Sequence, residues 1–268
     1  MFKGIIAIKP FVTMLKMAEM VHHTAVFKAT NNGLVCRMKN NNYKEMVDLM
    51  LPREAFIQYE HCNDNNKDTI FAFRPAEVLR FFNGIDNGSI ELHTDGNVIN
   101  IKYETVSKTL DFTTKSSTDS IVAVDADIEQ IPDFTPVAKL LVRRELLLDA
   151  IERVGTERYF KLTIDSNGLG FKQASVDRLS TYSVFYKYGN KDVSMKMSAT
   201  TTTTMIEAYH DVLALVPILK SVQDCNYVML YSDKDCNLRL EFLLSFKCNA
   251  NYYIQSVQQS TTIKKDNH

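Results

Sequence analysis

Charge of one sign is missing from this 268-residue chain, since 31 Lys and Arg stand against 32 Asp and Glu. A globally nucleic-acid-attracting surface is thereby excluded, and any basic patch must be local. No run of 18 apolar residues occurs, so no membrane-spanning helix is expected. The opening MFKGIIAIKPFVTML has only a short apolar run, interrupted by Lys9 and Pro10, and does not read as a signal peptide. The five cysteines (Cys36, Cys62, Cys225, Cys236, Cys248) contain no C-x-x-C pair. Their odd number and wide spacing fit reduced thiols in an intracellular protein. Phosphate-loop, nucleophile-elbow and zinc-protease motifs are all absent. His61 and Cys62 are adjacent, but neighbours in a strand point to opposite faces and would not meet. No catalytic constellation, metal or cofactor is expected.

What is present is an ordinary globular composition, 45% hydrophobic and 24% charged, in a chain long enough for two domains with a substantial core. Four segments share one grammar, at 2–39, 69–103, 138–173 and about 203–244. Each begins with a strand-like run, continues with about ten residues of helical period, and ends in two strand-like runs joined by a turn. The turns are Asn31-Asn32-Gly33, Asp95-Gly96-Asn97, Ser166-Asn167-Gly168 and Ser232-Asp233-Lys234-Asp235. These residue types tolerate the positive φ that tight hairpins require. Tyr159, Lys161 and Thr163 alternate with Phe160, Leu162 and Ile164, as a half-buried strand does.

At 100° per residue, Phe11, Met14, Leu15 and Ala18 form the apolar stripe of the first helix, opposite Lys9, Thr13, Lys16 and Met20. His22-His23 ends that helix, where a cation is favourable. In the second helix Val78, Leu79 and Phe82 point inward and Arg80 outward. In the third, Leu147, Ala150, Ile151 and Val154 point inward, and Glu145, Asp149, Glu152 and Arg153 form a mixed, acid-leaning outer face. Pro217 predicts that the fourth helix begins near Val216, with the proline in its first turn. Lys220 and Ser221 then lie away from its apolar side. The fold class expected is α+β: two similar domains, each a duplicated β-α-β-β unit, with helices on one face of curved antiparallel sheets. The expected boundaries are 1–120, a connecting linker 121–136, a second domain 137–257 and a polar tail 258–268.

The start MFKGII, the fourfold helix–hairpin grammar, the central VDADIEQIPDF and the ending LRLEFLLSFKCNANYYIQSV together resemble the sliding clamps of the proliferating cell nuclear antigen (PCNA) family. The resemblance covers nearly the whole chain. It implies a ring, usually of three subunits, whose helices line a hole around double-stranded DNA and whose outer surface tethers DNA polymerase and other enzymes. A clamp loader would open the ring. It implies a site inside the cell: the nucleus in a eukaryote, otherwise the cytoplasm, nucleoid or a viral replication site. Two other arrangements remain open, a subunit of a heteromeric checkpoint-type clamp and a viral processivity factor that forms no homotrimer.

Within IVAVDADIEQIPDF, Asp125, Asp127 and Glu129 have the spacing of a calcium loop. An EF-hand loop requires Gly at position six and Glu at position twelve, and those places hold Gln130 and Pro136. Ile128, Ile131, Pro132 and Phe134 are too apolar for a free tether. By the resemblance, this linker walls a groove for short peptides, completed by Met38, Tyr43, Met46, Cys236, Tyr253 and Ile254 together with Ile128, Ile131 and Pro132. Aliphatic and aromatic pockets suit such peptides. Lys44-Glu45 is more charged than the family's corresponding loop, and the tail QQSTTIKKDNH is not acidic. The DNA-facing candidates are Lys9, Lys16, Arg80, Arg153 and Lys220, with Arg143 and Arg144 weaker; phosphate contacts of this kind hold DNA without reading its sequence. Edge strands that would close a ring are expected at Lys108–Thr114 and Thr181–Lys187.

Overall fold

The computed structural model describes residues 1–40, 42, 44–61, 68–85, 87–116, 131–155, 158–174, 182–189, 193–197 and 205–257. The chain divides into two compact units. Unit 1 is Met1–Asp133, Ser221–Cys225 and Glu241–Tyr252; unit 2 is Phe134–Lys220, Asn226–Leu240 and Tyr253–His268. The linker residues up to Gln130, including Asp125, Asp127 and Glu129, and the tail 258–268 lie outside the described residues.

Unit 1 runs β1 (Phe2–Ala7), α1 (Ile8–Val21), β2 (Ala25–Thr30), β3 (Gly33–Lys39), β4 (Glu45–Pro52), a 3-10 turn (Arg53–Ala55) and β5 (Phe56–His61). It continues with β6 (Thr69–Phe73), α2 (Pro75–Phe81), β7 (Ser89–Asp95), β8 (Val98–Glu104) and β9 (Thr109–Lys115). Unit 2 runs β10 (Pro136–Arg143), α3 (Arg144–Val154), β11 (Tyr159–Ile164), β12 (Gly168–Gln173), β13 (Ser183–Lys187) and β14 (Val193–Met197). It continues with β15 (Ile206–Asp211), α4 (Val212–Ser221) and β16 (Tyr227–Asp233). The last two strands, β17 (Leu238–Leu243) and β18 (Asn249–Ile254), are divided between the units.

The β-α-β-β grammar therefore occurs four times, opening at β1, β6, β10 and β15. Its copies interlock in pairs. The opening strand β1 pairs not with its own hairpin but with β7 of the second copy, while β6 pairs with β2 of the first. In unit 2, β10 pairs with β16 and β15 with β11 by the same exchange. All these pairings are antiparallel. In unit 1 the strand orders are β5-β1-β7-β8-β9 and β18-β4-β3-β2-β6; in unit 2 they are β14-β10-β16-β17 and β13-β12-β11-β15. The strands that follow the second and third copies, β9 and β13, each stand at a sheet edge.

The hairpin turns use the expected chemistry. Gly33 has φ 139°, and a Cβ there would sit 2.2 Å from the Leu51 carbonyl oxygen, so the β2–β3 turn admits no side chain. The Asp165 carboxylate accepts the backbone N–H groups of Asn167 and Gly168 at 2.6 and 2.9 Å, closing the β11–β12 turn.

Two helix readings are corrected. Thr13 is buried, not outward, because α1 packs against α2 as well as against the strands beneath it. The fourth helix begins at Val212, four residues before the expected start, with Pro217 inside it. The proline removes one hydrogen bond, to the carbonyl of exposed Leu213, where water can serve instead. In α3 the expected inward set Leu147, Ala150, Ile151 and Val154 is buried. Leu79 of α2 is half-buried, while Val78 and Phe82 are fully covered.

Candidate functional site: a helix face and a partner groove

Lys9 and Lys16 sit on one face of α1, seven residues and so about 10.5 Å apart along the axis. Arg80 lies in the last turn of the neighbouring α2. All three side chains are exposed, and no carboxylate of the described residues lies within ion-pair distance of them. Arg74, just before α2, meets Glu77 only at 3.7 Å.

The unit 2 candidates are differently placed. Arg153 Nε lies 2.7 Å from the Asp149 carboxylate one turn earlier in α3. That contact raises the guanidinium pKa further above its ordinary value, through the hydrogen bond and the charge of Asp149. Lys220 Nζ of α4 lies 2.7 Å from Glu152 of α3. Arg143 lies 3.8 Å from Glu145. Arg144 is 9% exposed and donates to the Leu219 carbonyl at 3.1 Å, so it ties α3 to the end of α4 instead of facing solvent.

Of the groove candidates in unit 1, Met38 and Met46 lie on the paired strands β3 and β4, where Met38 faces Val47 and Met46 faces Lys39 in register. Both are buried, at 4% and 3% exposure, and Ile131 and Pro132 are exposed. In unit 2, Tyr253 and Ile254 are buried, and Cys236 is half-buried with φ 62°. Tyr43 and Ile128 lie outside the described residues.

Residues outside the candidate set shape these surroundings. The Glu45 carboxylate receives the Tyr252 hydroxyl at 2.7 Å on one oxygen and the Asn40 side-chain amide at 2.7 Å on the other. The Glu45 and Lys44 backbone N–H groups in turn donate to Asn40 Oδ1 at 3.2 and 3.0 Å. The charge that looked foreign to a peptide-binding loop is thus a latch that closes the β3–β4 connection onto β18. In unit 2, Phe134 packs edge-on against Tyr253, with centroids 6.1 Å apart, and lies 5.5 Å from the Arg239 guanidinium. Arg239 also lies over the Tyr231 ring at 4.0 Å. The apolar character of the linker signalled Phe134 in advance; nothing local signalled Arg239.

Burial raises the thiol pKa of Cys236, Cys248 and Cys36 above the ordinary value, reaching about 11 for Cys248. These are poor nucleophiles at neutral pH. Among the described residues no group of three His, Cys, Asp or Glu side chains is placed to hold a metal ion.

Among solved structures the chain is similar to PCNA from Thermococcus kodakaraensis, with a TM-score of 0.82 at 18% identity over 96% of this chain and 100% of that one. It is similar to A. fulgidus PCNA, solved with the C-terminal region of FEN-1 bound, at TM-score 0.81 and 13% identity over 97% and 100% of the two chains. PCNA from Entamoeba histolytica aligns at TM-score 0.80 and 12% identity over 96% and 99%. No protein-family model matches the sequence. No curated protein matches it either. The fold is that of the PCNA sliding clamps, in the α+β form the sequence implied.

Proposed function

We propose that this chain is a non-enzymatic DNA sliding clamp, a processivity factor whose copies form a ring around duplex DNA and tether replication and repair enzymes. The observation that carries the reading is the exposed trio Lys9, Lys16 and Arg80 on α1 and α2, unpaired among the described residues and set on a clamp fold. Cations held without base-reading partners suit a protein that must grip phosphates and still slide. The edges support closure. In unit 1, β18 lies beside β4, the strand that follows the first copy of the repeat. Among the described residues the strands β9 and β13, which follow the second and third copies, pair on one side only, as head-to-tail closure of a ring between copies requires.

Enzymes would reach the ring through short peptides, as the FEN-1 C-terminal region does on the A. fulgidus protein. The groove would be walled by Ile128, Ile131 and Pro132 of the linker, the Met38–Met46 segment, and Cys236, Tyr253 and Ile254. A clamp loader would open the ring, and the protein would work where DNA is copied.

The first test is charge reversal. Lys16→Glu with Arg80→Glu is expected to abolish retention on circular DNA while circular dichroism stays unchanged; full retention by the double variant overturns the reading. Light scattering over a concentration series then separates a three-chain species from a monomer or dimer. A monomer at high concentration favours a mixed ring or an open viral-type factor, a reading that the acid-leaning face of α3 supports.

A further inference from the structure

We infer that the DNA grip of this clamp belongs to unit 1 alone, and that the helix face of unit 2 is a self-neutralised surface past which DNA slides. This deepens the clamp reading and rests on it. Counted over each helix and the residue before it, α1 and α2 carry four cations (Lys9, Lys16, Arg74, Arg80) against two carboxylates (Glu19, Glu77). Counted the same way, α3 and α4 carry four cations (Arg143, Arg144, Arg153, Lys220) against four carboxylates (Glu145, Asp149, Glu152, Asp211), of which Asp211 is itself paired with Arg158 at 2.9 Å.

Geometry widens the difference. In unit 2, Arg144 is buried on a backbone carbonyl, and Arg153 and Lys220 each have a carboxylate at 2.7 Å. A phosphate approaching either cation meets that carboxylate within the same few ångströms, well inside the roughly 8 Å screening length at physiological salt. In unit 1 no carboxylate of the described residues lies within ion-pair distance of Lys9, Lys16 or Arg80, and Glu19 and Glu77, three residues from Lys16 and Arg80 on the same helices, make no direct contact with them. Arg153 and Lys220, read from sequence as DNA-facing, are thus engaged by carboxylates of α3, Arg153 within its own helix and Lys220 from α4.

The test is the salt dependence of binding to a short duplex, followed by fluorescence anisotropy on the full chain. Each phosphate contact adds about 0.9 to the slope of log affinity against log salt. Lys16→Gln with Arg80→Gln is expected to lower that slope by about 1.8. Its affinity then falls about twelve-fold less than that of the parent between 50 and 200 mM salt. Arg153→Gln with Lys220→Gln is expected to leave the slope unchanged. Asp149→Asn with Glu152→Gln, which frees both unit 2 cations, is expected to tighten binding and steepen the slope. A slope lowered equally by the Arg153/Lys220 pair overturns the inference but leaves the clamp reading standing. A parent protein whose duplex affinity shows no salt dependence overturns both.

Discussion

Unit 1 and unit 2 share one connectivity and one pairing exchange, but they are built from different chemistry. Unit 1 is centred on stacked phenylalanines: Phe27 lies 4.9 Å from Phe73 and 5.5 Å from Phe71, which in turn stacks on Phe2 at 6.1 Å. Phe11 joins this cluster to Phe82, bringing α1 and α2 onto it. The corresponding region of unit 2 has one phenylalanine pair, Phe160 and Phe171 at 6.0 Å, and beside Phe160 a histidine. His210 is 0% exposed, and neither of its ring nitrogens has a hydrogen-bond partner among the described residues. The helix faces diverge as well: among the described residues Lys9, Lys16 and Arg80 of unit 1 have no ion-pair partner, whereas Arg153 and Lys220 of unit 2 each have one. A duplicated fold constrains strand order and the size of what is buried. It leaves open which residues fill the volume and what charge the surface carries, so the two halves can take different tasks.

The largest effect is expected from the aromatic cluster. Phe27→Ala removes a fully buried ring with three aromatic neighbours and should cost about 3–5 kcal/mol in denaturant unfolding. Hydrogen exchange should accelerate in unit 1 more than in unit 2; equal acceleration would erase the distinction between the cores.

The second effect belongs to unit 2. Burial lowers the His210 pKa from 6.5 to about 3, so below pH 6.5 the unfolded chain binds a proton that the folded chain refuses. Stability conferred by neutral His210 is intact above pH 6.5 and falls by about 1.4 kcal/mol per pH unit down to about pH 3. His210→Leu should remove that slope, and at pH 7 should stabilise by about 1–2 kcal/mol, since no unpaired ring nitrogens stay buried. A variant whose stability–pH profile parallels the parent's between pH 6.5 and 4 would refute the assignment.

A smaller loss, about 1.5–3 kcal/mol at most, is expected for Tyr252→Phe, which deletes the hydroxyl bond to the Glu45 carboxylate. Faster exchange of the Lys44 and Glu45 amides in that variant would show the latch opening. Smallest of all is Glu152→Gln. Its exposed contact with Lys220 contributes little to the fold, so the unfolding midpoint should not move while duplex affinity rises. A shifted midpoint would make Glu152 a structural residue of unit 2 instead.

The repeats were legible because their signals are local. A hairpin turn needs Asn, Asp or Gly at particular places, and an amphipathic helix shows its stripe within two or three turns. Thr13 was misjudged because a helical wheel assumes one covered side, and α1 is covered by both strands and α2. Pro217 was misjudged because a proline's cost inside a helix depends on whether the carbonyl it leaves unpaired can reach water. β9 and β13, which overlap the edge strands expected from ring closure in the resemblance, stand at sheet edges among the described residues. Met38, Met46, Tyr253 and Ile254, groove residues by the resemblance, are buried, a matter of strand packing that one chain's pattern does not express.

By itself the sequence determined the fourfold β-α-β-β order, the turns and the inward faces of the helices, because each depends on residues within a few positions of one another. Only the tertiary structure decided which strands exchange partners, that Glu45 closes a loop onto Tyr252, 207 positions away, and that Arg153 and Lys220 are ion-paired. Those outcomes depend on which side chains from distant segments come within about 3 Å, where a hydrogen bond or ion pair forms, and no local pattern encodes that distance.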